Sequence, residues 1–137
     1  MDIESPVTET LAIDMCRHLE TFAASISLSP QVVFCLDHAL AEHVQNLFDH
    51  SDATLSKLRL ESLQNKLIIT VWDNGTPSNI LNHPPVDTSV PFLERPIGGL
   101  GIHMIRKLLD EVHYTSADSW NTAIFIKKNN TTAPEVS

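Results

Sequence analysis

Three groups of residues in this sequence combine types and spacings that could do chemistry. The first is Glu42-x-x-x-Asn46-x-x-x-His50. On a helix, a spacing of four stacks side chains on one face, one turn apart. A carboxylate there can act as a general base, and an amide oxygen one turn on is a hard ligand suited to Mg²⁺. The plain alternative is a solvated polar face. The second group is Trp72-Asp73-Asn74-Gly75-Thr76-Pro77. A carboxylate at the end of a buried strand could accept a hydrogen bond from an exocyclic amine, with Gly75 letting a flat ring come close. The alternative is an ordinary turn, for which this composition is common. The third is Gly98-Gly99-Leu100-Gly101. Glycines before a helix bring a phosphate to its free N–H groups and partial positive charge. Gly101 is followed by Ile102 and His103 rather than Lys and Ser/Thr, and no strand leads in, so neither a Walker A loop nor a dinucleotide fingerprint is present. A structural hinge is the alternative.

All four glycines of the chain, at 75, 98, 99 and 101, fall in the second and third groups. Turns elsewhere use Pro, Asn, Asp and Ser, which points to two places that need bare backbone. The elements that must hold these groups can be read around them. Ser5 as cap, Pro6 at the first position and the stripe Val7, Leu11, Met15, Leu19, Phe22, Ile26 predict a first helix. Ser29 and Pro30 start a second, running to about His50 with Val33, Leu36, Leu40, Val44 and Leu47 on one face. A hairpin follows, with strands over 57–61 and 67–72 and a turn at Gln64-Asn65. Residues 76–97, with five prolines, predict a long loop or lid. Ile102, Ile105, Leu109 and Val112 predict a third helix, and strands near 111–115 and 122–127 flank a turn at 117–119. The order predicts an α+β fold: a two-layer sandwich, with a mixed or antiparallel sheet covered on one face by helices.

Composition narrows the class. With 137 residues, the expectation is one domain over 1–128 and a polar, disordered tail over 129–137. Apolar residues are 42% and charged residues 19%, with no run long enough to span a bilayer, which argues against a disordered or membrane protein. A net charge of −8 argues against direct nucleic-acid binding. The acidic start carries no secretory pattern, and two cysteines, Cys16 and Cys35, suit neither a disulfide scaffold nor a zinc site. The expected setting is cytoplasmic. Apart from His50, the histidines at 18, 38, 43, 83, 103 and 113 show no metal-ligand spacing beyond the helical neighbours His38 and Glu42, and read as surface or partly buried side chains.

Taken together in order, the three groups resemble the boxes of the GHKL ATPases, the superfamily of DNA gyrase, histidine kinases and MutL. Within it the chain is similar to the small serine/threonine kinases that act as bacterial anti-sigma factors, most densely from Glu94 to Val112. The resemblance implies a helix-covered sheet that binds ATP and Mg²⁺. It implies that Asn46 holds Mg²⁺, that Glu42 is the base toward a serine or threonine hydroxyl, and that Asp73 binds the adenine amine with Gly75 beside it. Gly98, Gly99 and Gly101 would cradle the phosphates under a lid of residues 76–97. Arg95 would reach the γ-phosphate or a docked partner, unless it is a solvated loop residue. The implied partners are an RNA polymerase sigma factor, a STAS-domain anti-anti-sigma protein and a second copy of the chain.

Many members of that family carry a strand before the first helix. Only about five residues precede the first helix as read from Ser5 and Pro6, which leaves one edge of the sheet without an evident strand. No phosphoacceptor helices precede the domain, which disfavours a histidine kinase. A catalytically silent, nucleotide-sensing partner switch is the alternative function, and a plain interaction domain a third.

Overall fold

The computed structural model describes residues 2–77 and 105–129. The described elements run β1 (Asp2–Pro6), α1 (Leu11–Ser25), α2 (Pro30–His50), β2 (Leu55–Leu63), β3 (Lys66–Asp73), β4 (Glu111–Ala117) and β5 (Trp120–Lys128). The strands form one sheet in the order β1-β2-β3-β5-β4, and every neighbouring pair is antiparallel. The helices lie on one face, giving the expected α+β sandwich.

Alternation decides which strand residues meet the helices. Leu58 and Leu60 of β2, Leu67, Ile69 and Val71 of β3, and Ala123 and Phe125 of β5 point inward and are buried. They meet Leu11, Met15 and Leu19 of α1 and Leu36, Leu40, Val44 and Leu47 of α2 in one core. Burying such side chains contributes roughly 1.5–3 kcal/mol each before chain entropy is charged against it. On the opposite face Trp72 and Trp120 are half-buried, with the Arg59 guanidinium 5.2 Å and the Lys57 ammonium 4.3 Å from their rings.

Both hairpins close through two residues of positive φ: Gln64 (49°) and Asn65 (64°), then Asp118 (54°) and Ser119 (67°). Paired left-handed residues match the twist of the flanking strands, which is why these short polar loops fix the register Leu63↔Lys66 and Ala117↔Trp120.

The N-terminal reading is corrected. Ser5 and Pro6 do not start a helix. They belong to strand β1, whose Ile3 pairs with Leu58, and α1 begins only at Leu11. Pairing with β2 satisfies the backbone that a helix start would leave open, and a proline at the end of an edge strand loses no needed donor. The strand missing from the sequence reading is therefore present. Asp2 and Arg59 clasp it with two bonds of 2.9 Å across the exposed face. The second helix agrees with expectation: Ser29 Oγ accepts from Val32 N at 3.3 Å. Of the third helix, a turn at 105–108 is described, and Val112 belongs to β4 instead. Asn129, the first residue of the expected tail, donates its N–H to Asn65 O at 2.7 Å. Residues 130–137 lie outside the described residues, as does all of the expected lid beyond Pro77.

Candidate functional site

The inward face of the sheet turns polar at one end. Ser5, Ser56, Asp73, Asn121 and Ser116 pair in sequence across all five strands. Ser56, Asp73 and Asn121 are 0%, 5% and 3% exposed. A polar row in so buried a place must be satisfied from within. Asp73 Oδ1 accepts from the N–H of Gly75 and from Asn121 Nδ2, both at 2.9 Å. The same amide nitrogen donates to Gly75 O at 2.9 Å, and Ser116 Oγ donates to Asn121 Oδ1 at 2.9 Å. Ser56 Oγ turns to Trp72 O at 2.7 Å. Among the described residues, the donors to Asp73 all reach Oδ1, so its second oxygen is left to meet a donor from outside this network.

Gly75 is demanded by space. A Cβ there would stand 2.9 Å from Asp52 Oδ1 and 3.1 Å from both Ala53 N and Asp73 Oδ1. Asp52, just past α2, grips the next residue twice: Thr76 N donates to its Oδ1 at 2.6 Å and Thr76 Oγ1 to its Oδ2 at 2.7 Å. Those two bonds hold the Asp52 carboxyl below its ordinary pKa. Asn74 Oδ1 accepts from Thr54 N at 2.8 Å and Leu55 N at 3.0 Å, locking the start of β2 to the end of β3. The turn composition seen in the sequence is thus a braced corner.

Glu42 and Asn46 lie on α2, half-buried and one turn apart, while His50 is exposed at the helix end. Asp73 and Gly75 come together directly. His43, the residue after Glu42, feels the Asp73 carboxylate. Arg95, Gly98, Gly99 and Gly101 lie outside the described residues. The reading of the histidines is corrected at His43, which is 5% exposed because it stands in the Leu36–Leu40–Leu47 stripe. Sequence reasoning also missed Asn121 and Asp52. Asn121 was legible as a polar residue in phase with Ala123 and Phe125. Nothing in the sequence marks Asp52.

The family model for the histidine kinase-like ATPase domain matches residues 6–127. The chain belongs to that family, and membership implies ATP binding. Among solved structures, it is similar to the RsbU and RsbW domains of Rv1364c from Mycobacterium tuberculosis (TM-score 0.63, 17% identity, 93% of this chain and 32% of that one). It is also similar to the Acinetobacter baumannii histidine kinase AdeS (TM-score 0.51, 14% identity, 94% and 68%) and to the catalytic domain of histidine kinase ThkA (TM-score 0.50, 12% identity, 94% and 96%). The chain spans about a third of the first of these, and the likenesses establish a GHKL-type fold. No curated protein matches the sequence significantly. Among the described residues, no helix is long and apolar enough to cross a membrane.

Proposed function

We propose that this chain is an ATP- and Mg²⁺-dependent serine/threonine protein kinase that works as an anti-sigma factor. It sequesters an RNA polymerase sigma factor and phosphorylates a STAS-domain antagonist, acting as a homodimer. The observation that carries the nucleotide reading is Asp73: a buried carboxylate braced through Oδ1 by Gly75 N and Asn121. That brace leaves the remaining oxygen as an acceptor for an exocyclic amine, and Gly75 lets the corner close tightly against Asp52 and Ala53.

When bound, ATP-Mg²⁺ supplies the γ-phosphoryl group and neutralises its charge. Among the described residues no group of three or more His, Cys, Asp or Glu could hold a metal. Mg²⁺ takes one or two protein ligands and completes its shell with phosphates and water. Asn46 is the ligand this chain offers on α2. Glu42, one turn before, would take the proton from the attacking serine or threonine hydroxyl while that oxygen bonds to the γ-phosphorus and the bond to the β,γ-bridging oxygen breaks, leaving ADP. By the family resemblance, Gly98, Gly99 and Gly101 would cradle the phosphates and Arg95 would reach the γ-phosphate or a docked partner. Positioning and charge carry phosphoryl transfer, so this short set is sufficient.

The test is label transfer from γ-³²P-ATP with Mg²⁺ to a candidate STAS-domain protein. The expected result is label on serine or threonine in wild type and at least 100-fold less with Glu42→Ala, in line with loss of a general base. Nucleotide binding without any transfer would contradict the kinase reading and leave a nucleotide-sensing switch.

A further inference from the structure

Between the end of α1 and the start of α2 lies a groove of about 410 Å³. Its walls are apolar at Ala24, Leu28, Val33 and Phe34, and it carries two carboxyls, Glu20 and Asp37. Phe34 stands 56% exposed, with the His38 ring tilted against it at 4.1 Å. Neither carboxyl has a cation of its own: among the described residues the ion pairs are Asp2 with Arg59 and Glu111 with His113. Burial and Glu20 raise Asp37 to about 7, with the Cys16 thiol and His38 pulling the other way. Such a groove is complementary to an apolar side chain flanked by positive charge.

The chain itself presents that combination. Leu63 pairs with Lys66 across the β2–β3 hairpin, and Lys66 pairs with Lys128 across β3 and β5. Alternation puts all three on the outward face of the sheet, in one row roughly 10 Å long at the usual strand spacing. Leu63 is 54% exposed, and neither ammonium forms an ion pair among the described residues. Glu111, whose carboxyl these lysines act on, is bonded to His113 at 3.0 Å.

The groove and the row lie at the same end of the molecule. The Asp52–Thr76 bonds tie the end of α2 to the end of β3, so the starts of both elements, Pro30 and Lys66, lie together at the other end. The 21 residues of α2 and the nine of β2 each span about 30 Å, so β2 returns to the level at which α2 begins. There the groove belongs to the helix layer and the row to the sheet layer. A two-fold axis across the strands, between the ends of two copies, turns the sheet layer of one toward the helix layer of the other. Both contacts then form at once and the assembly closes at two.

We infer that this end of the molecule is where a second copy docks, Leu63 of each chain entering the groove of the other with Lys66 and Lys128 against Glu20 and Asp37. The inference rests on the homodimer in the reading above. It leaves the Asp73 corner, at the opposite end, uncovered.

Sedimentation velocity on the full chain tests it, with wild type, Glu20→Lys and the double variant Lys66→Glu/Lys128→Glu. Wild type is expected as a dimer. Each variant alone is expected to raise the dimer dissociation constant at least tenfold, because like charges then meet at both contacts. Mixed one to one, the two variants should recover the dimer, since an unaltered groove meets unaltered lysines and the Glu20→Lys groove meets the reversed row. Variants that dimerise as wild type does, or a mixture that does not recover, overturn the inference and leave the homodimer standing. A monomeric wild type overturns both and leaves the groove to a basic segment of another protein. Should either variant not fold, wild type in low and high salt decides: a dissociation constant that rises with ionic strength supports the inference, and an indifferent one overturns it. Wild type that binds no Mg-ADP by calorimetry overturns the nucleotide reading alone.

Discussion

At the scale of single residues, the account turns on which atoms of the Asp73 corner are already engaged. In Asp73→Asn the carbonyl oxygen can still accept from Gly75 N and Asn121, while the second oxygen becomes an NH₂ group. The fold should survive and the acceptor for an amine should not. Asn121→Ala removes the donor shared by Asp73 Oδ1 and Gly75 O, leaving a buried carboxylate with one bond fewer. Urea unfolding should register a loss of about 1–3 kcal/mol. A loss below a few tenths would show the network to be dispensable. Gly75→Ala drives a methyl group into Asp52 Oδ1 and Ala53 N. Backbone on one side and a doubly bonded carboxylate on the other leave little room to give, so about 1–3 kcal/mol of overpacking is expected by the same measurement.

At the scale of elements, the hairpins invite a gain. Ser119 adopts φ 67°, a conformation that costs a side chain but not glycine. Ser119→Gly should raise unfolding stability by about 1 kcal/mol, and any loss would contradict the turn assignment. Most elements were legible for the same local reasons that make them stable. Ser29 and Pro30 announce α2, and alternation in Leu58–Leu60 and Ala123–Phe125 announces the inward strand faces. The first strand was not legible. Ser5-Pro6 is a sound helix start by local chemistry, and only pairing with Leu55–Arg59 across the chain overrides it. The candidate site divides along the same line. Asp73 and Gly75 stood out because they are neighbours in sequence. Asp52 joins them from 21 residues before Asp73, and a clasp that closes through folding leaves no local mark.

At the scale of the whole molecule, two titrating groups, the half-buried Asp37 and the buried His43, oppose each other. Burial and the nearby Glu20 raise Asp37 to about 7 from the ordinary 3.8, so the folded state holds its proton more tightly than the unfolded chain. Its contribution is fully present below about pH 4 and is lost as pH rises toward 7. His43, lowered to about 4 from 6.5, is the reverse: the unfolded chain binds the proton more tightly, and stability is lost as pH falls from 6.5 toward 4. The two slopes offset each other between pH 4 and 6.5. Asp37→Asn should leave stability rising with pH across that window, measured by urea midpoints at half-unit steps. A profile as flat as wild type would contradict the assignment.

The helices, sheet and corner are arranged around one claim, that Asp73 receives the base of a bound purine nucleotide. Thermal unfolding of wild type and Asp73→Asn, with and without Mg-ATP, tests it most directly. A ligand at 100 times its Kd stabilises the folded state by about 2.7 kcal/mol, enough to move Tm by several degrees. The account predicts that shift in wild type and little or none in a folded Asp73→Asn protein. An equal shift in both would contradict it.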